Sequence, residues 1–393
     1  MSTQHPLLRL RAEQHAHVTN EELFFDLVYA FAVTQLSHRL LHHLTADNAF
    51  ETLVLWFAVW LGWQYTCWVT NWFNPERPRL RLVLFATMGL ALVMAASIPD
   101  AFGTRGLVFA GCYVAMQVGR TGFIVWQLGK DHALAANYRR MLGWLLISAC
   151  FWIGGGFAQP GLRLALWSVA VLCEYGSPMF GFALPGLGRS QTRDWTVEGG
   201  HMAERCQLFV IVALGESLLA TGGTLSDVAT WNMATMAAML ATFLGTIALW
   251  WLYFGTSSKD ATTRITSADD PGRIAAYFHY IHAILVFGIV VSAVGDDLAM
   301  QHPAGYADWP QILAMMAGPA LYLLGSAVYK YVVYGCIPTS HIVGAVALGL
   351  LIPAGYVSHL LVLGWLTTLI LFGVGFWENR TARVVPAAAG HHI

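Results

Sequence analysis

The chain has 393 residues, 57% of them hydrophobic and only 11% charged, with 21 Lys and Arg against 22 Asp and Glu and a mean hydropathy of +0.56. A soluble domain carries roughly 25% charged residues, so an ordinary water-soluble globule is excluded. A near-neutral chain without a basic patch is not built for nucleic acid either.

Twelve apolar blocks follow in chain order, at about 20–43, 50–72, 80–98, 106–129, 141–158, 162–184, 204–222, 231–255, 274–295, 309–335, 338–353 and 355–377. A bilayer core about 30 Å thick needs roughly 20 apolar residues per helical crossing. The predicted fold is therefore all-α, a polytopic membrane protein of about twelve transmembrane helices. The first block opens with Glu21, Glu22 and Asp26 instead of a basic n-region, so it reads as a retained helix and not a cleaved signal. Charged or breaker-rich joints separate most blocks: "NPERPRLR" at 74–81, "GKDHALAANYRR" at 129–140, "GLGRSQTRDWTVEGG" at 186–200 and "SSKDATTRITSADDPGR" at 257–273. Blocks five and six part only at "AQPGLR", and blocks ten and eleven only at Pro338. The tail after Trp377 reads as disordered.

With the amino terminus inside, sixteen Lys and Arg fall in cytoplasmic segments, Arg9, Arg81 and Arg205 among them, against Arg39, Arg105 and Arg163 outside. Both termini are then cytoplasmic. A shift of 184 residues sets His17 on His201, Phe25 on Phe209 and Asn48 on Asn232. That suggests two six-helix repeats in parallel orientation. The expected organisation is a cytoplasmic segment 1–19, a first repeat 20–185, a linker 186–203, a second repeat 204–377 and a cytoplasmic tail 378–393. The six cysteines are scattered without a CxxC pair and read as reduced packing residues.

Ionisable residues inside the blocks carry the functional argument. Thr19 and Glu22 have the spacing of a capping box, which explains Glu22 at a helix start. It does not explain Asp26, about 10 Å further along the helix. Glu174, Glu216, Arg120, Lys330, His279 and His282 also lie deep in apolar blocks. A charge at the bilayer centre costs at least about 2.5 kcal/mol, so these side chains should face protein or a water-filled cavity. The expected pairs are Asp26 or Glu174 with Arg120, and Glu216 with Lys330, leaving one carboxylate to hold a proton or a cation. Buried pairs that merely lock helix register are the competing reading.

No enzyme constellation stands out. Gly215-Glu216-Ser217 does not complete a GxSxG elbow, and Asp296-Asp297 lacks a further acid at useful spacing. The histidines read as buried and hydrogen-bonded; there is no HExxH, and neither metal nor cofactor is expected.

"EELFFDLVYAFAVTQLSH" (21–38), "ERCQLFVIVALGES" (204–217) and "YFHYIHAILVFGIVVSAVGDD" (277–297) resemble the bacterial low-temperature-requirement protein A family across roughly 15–380. The resemblance marks Glu22, Phe25, Asp26 and His38, then Glu204, Arg205, Gly215 and Glu216, then His282. Cys206-Gln207 departs from the phenylalanine-glycine type pair of relatives. The family implies a fold and a cellular address, not a defined reaction. The expected function is a secondary transporter or ion-conducting protein, in one version proton-linked, with Asp26, Glu22, Glu174, Glu204, Glu216, Arg120, Arg205, Lys330 and His282 along its pathway. Its expected partners are membrane lipid and a small solute or ion, and the oligomeric state is open. The alternatives are a non-transporting membrane protein that aids cold or envelope adaptation, and a membrane-embedded enzyme.

Overall fold

The computed structural model describes residues 6–9, 17–195, 197–228, 230–255 and 270–384. Among them are twelve α-helices: α1 Asn20–His42, α2 Ala46–Trp72, α3 Pro78–Ser97, α4 Gly106–Leu128, α5 Ala133–Phe157, α6 Pro160–Met179, α7 Gly199–Asp227, α8 Met233–Phe254, α9 Pro271–Gln301, α10 Trp309–Tyr334, α11 Thr339–Gly355 and α12 Leu360–Val384. Their number and order match the predicted blocks, including the α5–α6 and α10–α11 hairpins. Eight are long and apolar enough to cross a bilayer by composition alone: α3, α4, α5, α7, α8, α9, α10 and α12. Helix α11 is apolar but shorter. Helices α1, α2 and α6 fall outside that set and bury polar residues such as Asp26, Gln64 and Glu174. The protein is an all-α polytopic membrane protein.

Local sequence explains most helix limits. Asn232 and Asp308 accept hydrogen bonds from the backbone N–H groups of Thr235 and Gln311, capping α8 and α10. Pro78 and Pro160 stand at first helical positions, where a missing N–H costs nothing. Gly335 ends α10 in the left-handed region, with φ 75°.

Several limits differ from expectation, three of them in joints or a tail that read as non-helical. Helix α5 starts at Ala133, α7 at Gly199, and α12 runs to Val384. Hydropathy stops at the edge of the apolar layer, but backbone hydrogen bonding continues through charged residues that form helix well. Arg205 therefore lies within α7, and residues 378–384, expected to be disordered, are helical. Most of the predicted basic joint 257–273, and the tail from 385 onward, lie outside the described residues.

The chain forms two compact units, residues 1–209 with 262–279, and residues 210–261 with 280–393. In the first, α2 is the central element, touching α1, α4 and α6, while α4 packs on α3 and α5. Trp56, Trp60 and Trp63 of α2 are fully buried. Arg163, expected in an outside loop, is buried and donates to the carbonyls of Gly155, Gly156, Ala158, Ala101 and Gly103. It satisfies the orphan carbonyls at the end of α5.

In the second unit α9 and α10 meet at backbone contact. A Cβ on Gly288 would lie 2.6 Å from the Tyr322 nitrogen, and one on Gly295 2.9 Å from the Met315 Cα. Small residues permit this approach between helices in a bilayer, where lipid is as apolar as the protein core and close packing drives association. Helix α8 packs on α12, and α11 on α10 and α12.

Candidate functional site

Two pairs of residues four apart build the main polar site of the first unit. Glu22 and Asp26 share a face of α1; His201 and Arg205 share a face of α7. Glu22 Oε1 lies 2.8 Å from His201 Nε2, and Asp26 Oδ1 2.6 Å from Arg205 Nη2. Both contacts span the same offset of 179 residues. The two helices therefore run side by side in the same direction here, and the contacts form the rungs of a ladder.

Neighbouring elements hold the ladder. The segment before α1 runs along the end of α2, with the Arg9 N–H on the Trp72 carbonyl at 2.8 Å and the Asn74 N–H on the Leu7 carbonyl at 2.9 Å. This places Arg9 Nη2 2.7 Å from Glu22 Oε2, which also accepts from the Thr19 N–H at 2.9 Å. From α2, Asn71 accepts from the Glu198 N–H and donates to His201 Nδ1 at 3.2 Å. With its oxygen engaged on Glu198, Asn71 offers its NH₂ to the ring, so Nδ1 accepts and Nε2–H donates to Glu22. The neutral tautomer satisfies both contacts. Trp63 Nε1 donates to Asp26 Oδ1 at 2.7 Å, and its ring lies 5.8 Å from the Arg205 guanidinium carbon.

Glu22 and Arg205 have no exposed surface and Asp26 has 1%, so water does not screen these charges. Arg205 Nη1 also approaches Glu22 Oε1 at 3.3 Å, so one guanidinium touches both acids. Asp26 Oδ2 and Arg205 Nε are buried without hydrogen-bond partners.

Arg120 and Glu174 form a second group in the same unit, joined indirectly. Arg120 donates to Gln117 Oε1, to Thr66 Oγ1 at 2.7 Å and to the Gly62 carbonyl at 3.2 Å. Gln117 donates to the Tyr113 hydroxyl at 3.1 Å, and Tyr113 to Glu174 Oε2 at 2.5 Å. Ser148 and Trp152 donate to Glu174 Oε1 at 2.6 and 3.1 Å. The expected ion pair of Arg120 with Asp26 or Glu174 is thus replaced. Asp26 takes Arg205, and Glu174 takes three neutral donors. Helix rotation decides this, because a residue's depth does not say which neighbour its face meets.

The remaining predicted residues divide as follows. Lys330 is buried and paired with Glu378 of α12, not with Glu216; it also donates to the Leu252 carbonyl at 3.3 Å and lies 3.4 Å from His341 Nε2. The continuation of α12 past Trp377 supplies that partner. His282 is buried, with Nε2 2.7 Å from the Tyr253 hydroxyl. Glu216 and Glu204 are half-buried on α7. Within the first unit Glu22, Asp26 and Arg205 come together, and Arg120 joins Glu174 through two side chains.

Arg9, Trp63, Asn71, His201 and Glu378 belong to these sites and were not among the predicted residues. His201 had a sequence signal, its four-residue spacing from Arg205. Arg9 had none, since it reads as one more cytoplasmic charge.

The sequence model of the bacterial low temperature requirement A protein (LtrA) family matches residues 17–376. The chain belongs to the LtrA family. An uncharacterized protein of Rhizobium meliloti (strain 1021) is 36% identical over 395 aligned positions, covering 96% of this chain and 95% of that protein. No solved structure matches it. The residues that carry the LtrA resemblance, Glu22 and Asp26 in one motif and Arg205 in another, are the ones that the ladder joins. Phe25, from the first motif, is fully buried with its ring 4.9 Å from that of Tyr29.

Proposed function

We propose that this LtrA-family protein is a secondary transporter or ion-conducting protein of the bacterial inner membrane, with both termini cytoplasmic and with proton movement linked to the ladder. One observation carries this reading. Asp26 is sealed from water, yet one of its oxygens takes two donors and the other takes none. A purely structural network is most stable when each buried polar atom is satisfied. Asp26 Oδ2 is where a proton can add without breaking an existing bond. Protonation removes the charge that holds Arg205 Nη2, and Arg205 then shifts toward Glu22, which Nη1 already approaches. A two-position arginine is the kind of bistable element that lets a bound ion or proton bias one conformation over another. The arginine bias of the predicted joints supports the orientation.

The second reading, a non-transporting membrane protein, has its own support. Glu22 and Asp26 are balanced by Arg9 and Arg205, a charge-neutral set that can lock α1 to α7.

Flux into liposomes separates the two. Wild type and the Asp26→Asn and Glu22→Gln variants are reconstituted and assayed across a panel of ions and small solutes, with and without a pH gradient. Transport predicts gradient-dependent flux in wild type that Asp26→Asn abolishes while remaining folded. Equal flux in wild type and Asp26→Asn removes Asp26 from the mechanism, and no flux for any species favours the locking role.

A further inference from the structure

Asp296 of α9, whose pair with Asp297 lacks a further acid at a useful spacing, lines a cavity of about 30 Å³ within the second unit. One water needs about 10–15 Å³ measured this way, so the cavity holds a small ion or one to two waters. Asp296 has no hydrogen-bond or ion-pair partner among the described residues. It is also the one charged residue among those lining the cavity. Its neighbour Asp297 is engaged elsewhere, as acceptor for the Thr224 hydroxyl.

The rest of the wall is unusual in what it offers. Ser292 of α9 donates its hydroxyl proton to the Gly288 carbonyl at 2.8 Å, and Thr368 of α12 donates its own to the Ala241 carbonyl at 3.0 Å. With their protons committed, both oxygens retain only lone pairs. Pro319 stands inside α10 and has no N–H, so the Met315 carbonyl one turn earlier lacks its helical partner. Both Met315 and Pro319 line the cavity. Carboxylate, hydroxyl oxygens and a freed carbonyl are all acceptors, and among the described residues that line the cavity there is no Lys or Arg; Lys330 is paired with Glu378. Oxygen-only surroundings with one formal negative charge match a hard, singly charged cation; a divalent ion would leave an excess positive charge in an apolar layer.

We propose that the Asp296 cavity binds one alkali-metal cation, with Asp296 as the charged ligand and Ser292, Thr368 and the Met315 carbonyl as neutral oxygen donors, in competition with a proton on Asp296. The site stands on residues of the second unit alone and holds whether or not the ladder transports anything. The groups lining it from α8, α10 and α12 are uncharged, so Asp296 is the group through which pH acts.

The test uses the full-length protein in detergent at constant ionic strength, with choline chloride replaced stepwise by LiCl, NaCl or KCl while Tm is followed. Wild type should show a saturable rise in Tm with at least one of the three ions. The half-saturating concentration should rise about tenfold for each pH unit below the point where Asp296 protonates. Asp296→Asn should show no saturable rise, and Ser292→Ala should need about tenfold more cation. No saturation in wild type with any of the ions overturns the proposal, as does an unchanged response in Asp296→Asn. A saturable effect of pH without any effect of metal ion also overturns it, leaving a proton site. If Asp296→Asn does not fold, wild type and Ser292→Ala decide: equal half-saturation in those two overturns the assignment.

Discussion

In the first unit, Glu22 meets Arg9, His201 and Arg205, Asp26 meets Arg205 and Trp63, and Glu174 meets three neutral donors. In the second unit, Asp296 meets none of these, and glycines bring α9 and α10 to backbone contact. The difference teaches that an acid in an apolar chain has two physical outcomes. Where a cation lies opposite, the acid becomes part of the fold. Where only acceptors surround it, the acid remains a place for something to bind.

Removing cations and acids from the two regions should therefore have unlike effects. Arg205→Leu strands Asp26, while Glu22 keeps Arg9 and His201, and breaking one partner of a buried pair costs about 3–5 kcal/mol. Asp296→Asn, measured in choline buffer, should change stability by less than about 1 kcal/mol, since no ion pair is lost. Chemical unfolding of the two variants in detergent checks this, and equal destabilisation would erase the contrast. Next in size is the packing of the second unit. A Cβ at Gly318 would collide with the Ser292 backbone. Gly318→Val should cost about 1–3 kcal/mol through overpacking, read as a lower Tm, whereas Gly122→Ala on α4, where an added Cβ meets nothing, should not. The smallest effect belongs to Glu21 and Arg81, 2.7 Å apart with the arginine side chain 42% exposed. Arg81→Ala should cost less than about 1 kcal/mol, and raising the salt concentration should shrink even that difference.

Much of the fold was readable beforehand because it follows from one property. A helix that crosses lipid must satisfy its backbone internally and show apolar side chains, so block length and hydropathy mark it. Asp26 was also readable as inward-facing, since lipid does not tolerate it, whereas Glu22 read as a helix cap and Arg205 as a cytoplasmic charge. The grouping of the three was not readable. The expected pairing of Lys330 with Glu216 failed because the helical turn that carries Glu378 lies beyond the apolar block, where hydropathy gives no signal. Asp296 stood in the sequence without a further acid beyond Asp297, and the other oxygens of its cavity, a proline-freed carbonyl on α10 and hydroxyls on α9 and α12, come from three helices.

By itself the sequence determined that this is an all-α polytopic membrane protein of the LtrA family, and which side chains lipid would reject. Periodicity assigns each residue to a face of its own helix and to a depth along it. Only the tertiary structure decided what stands opposite that face: Arg205 for Asp26, Glu378 for Lys330, and for Asp296 a cavity with no other charged residue among its described lining. Partner choice depends on the rotation and contact of neighbouring helices, which no single helix encodes.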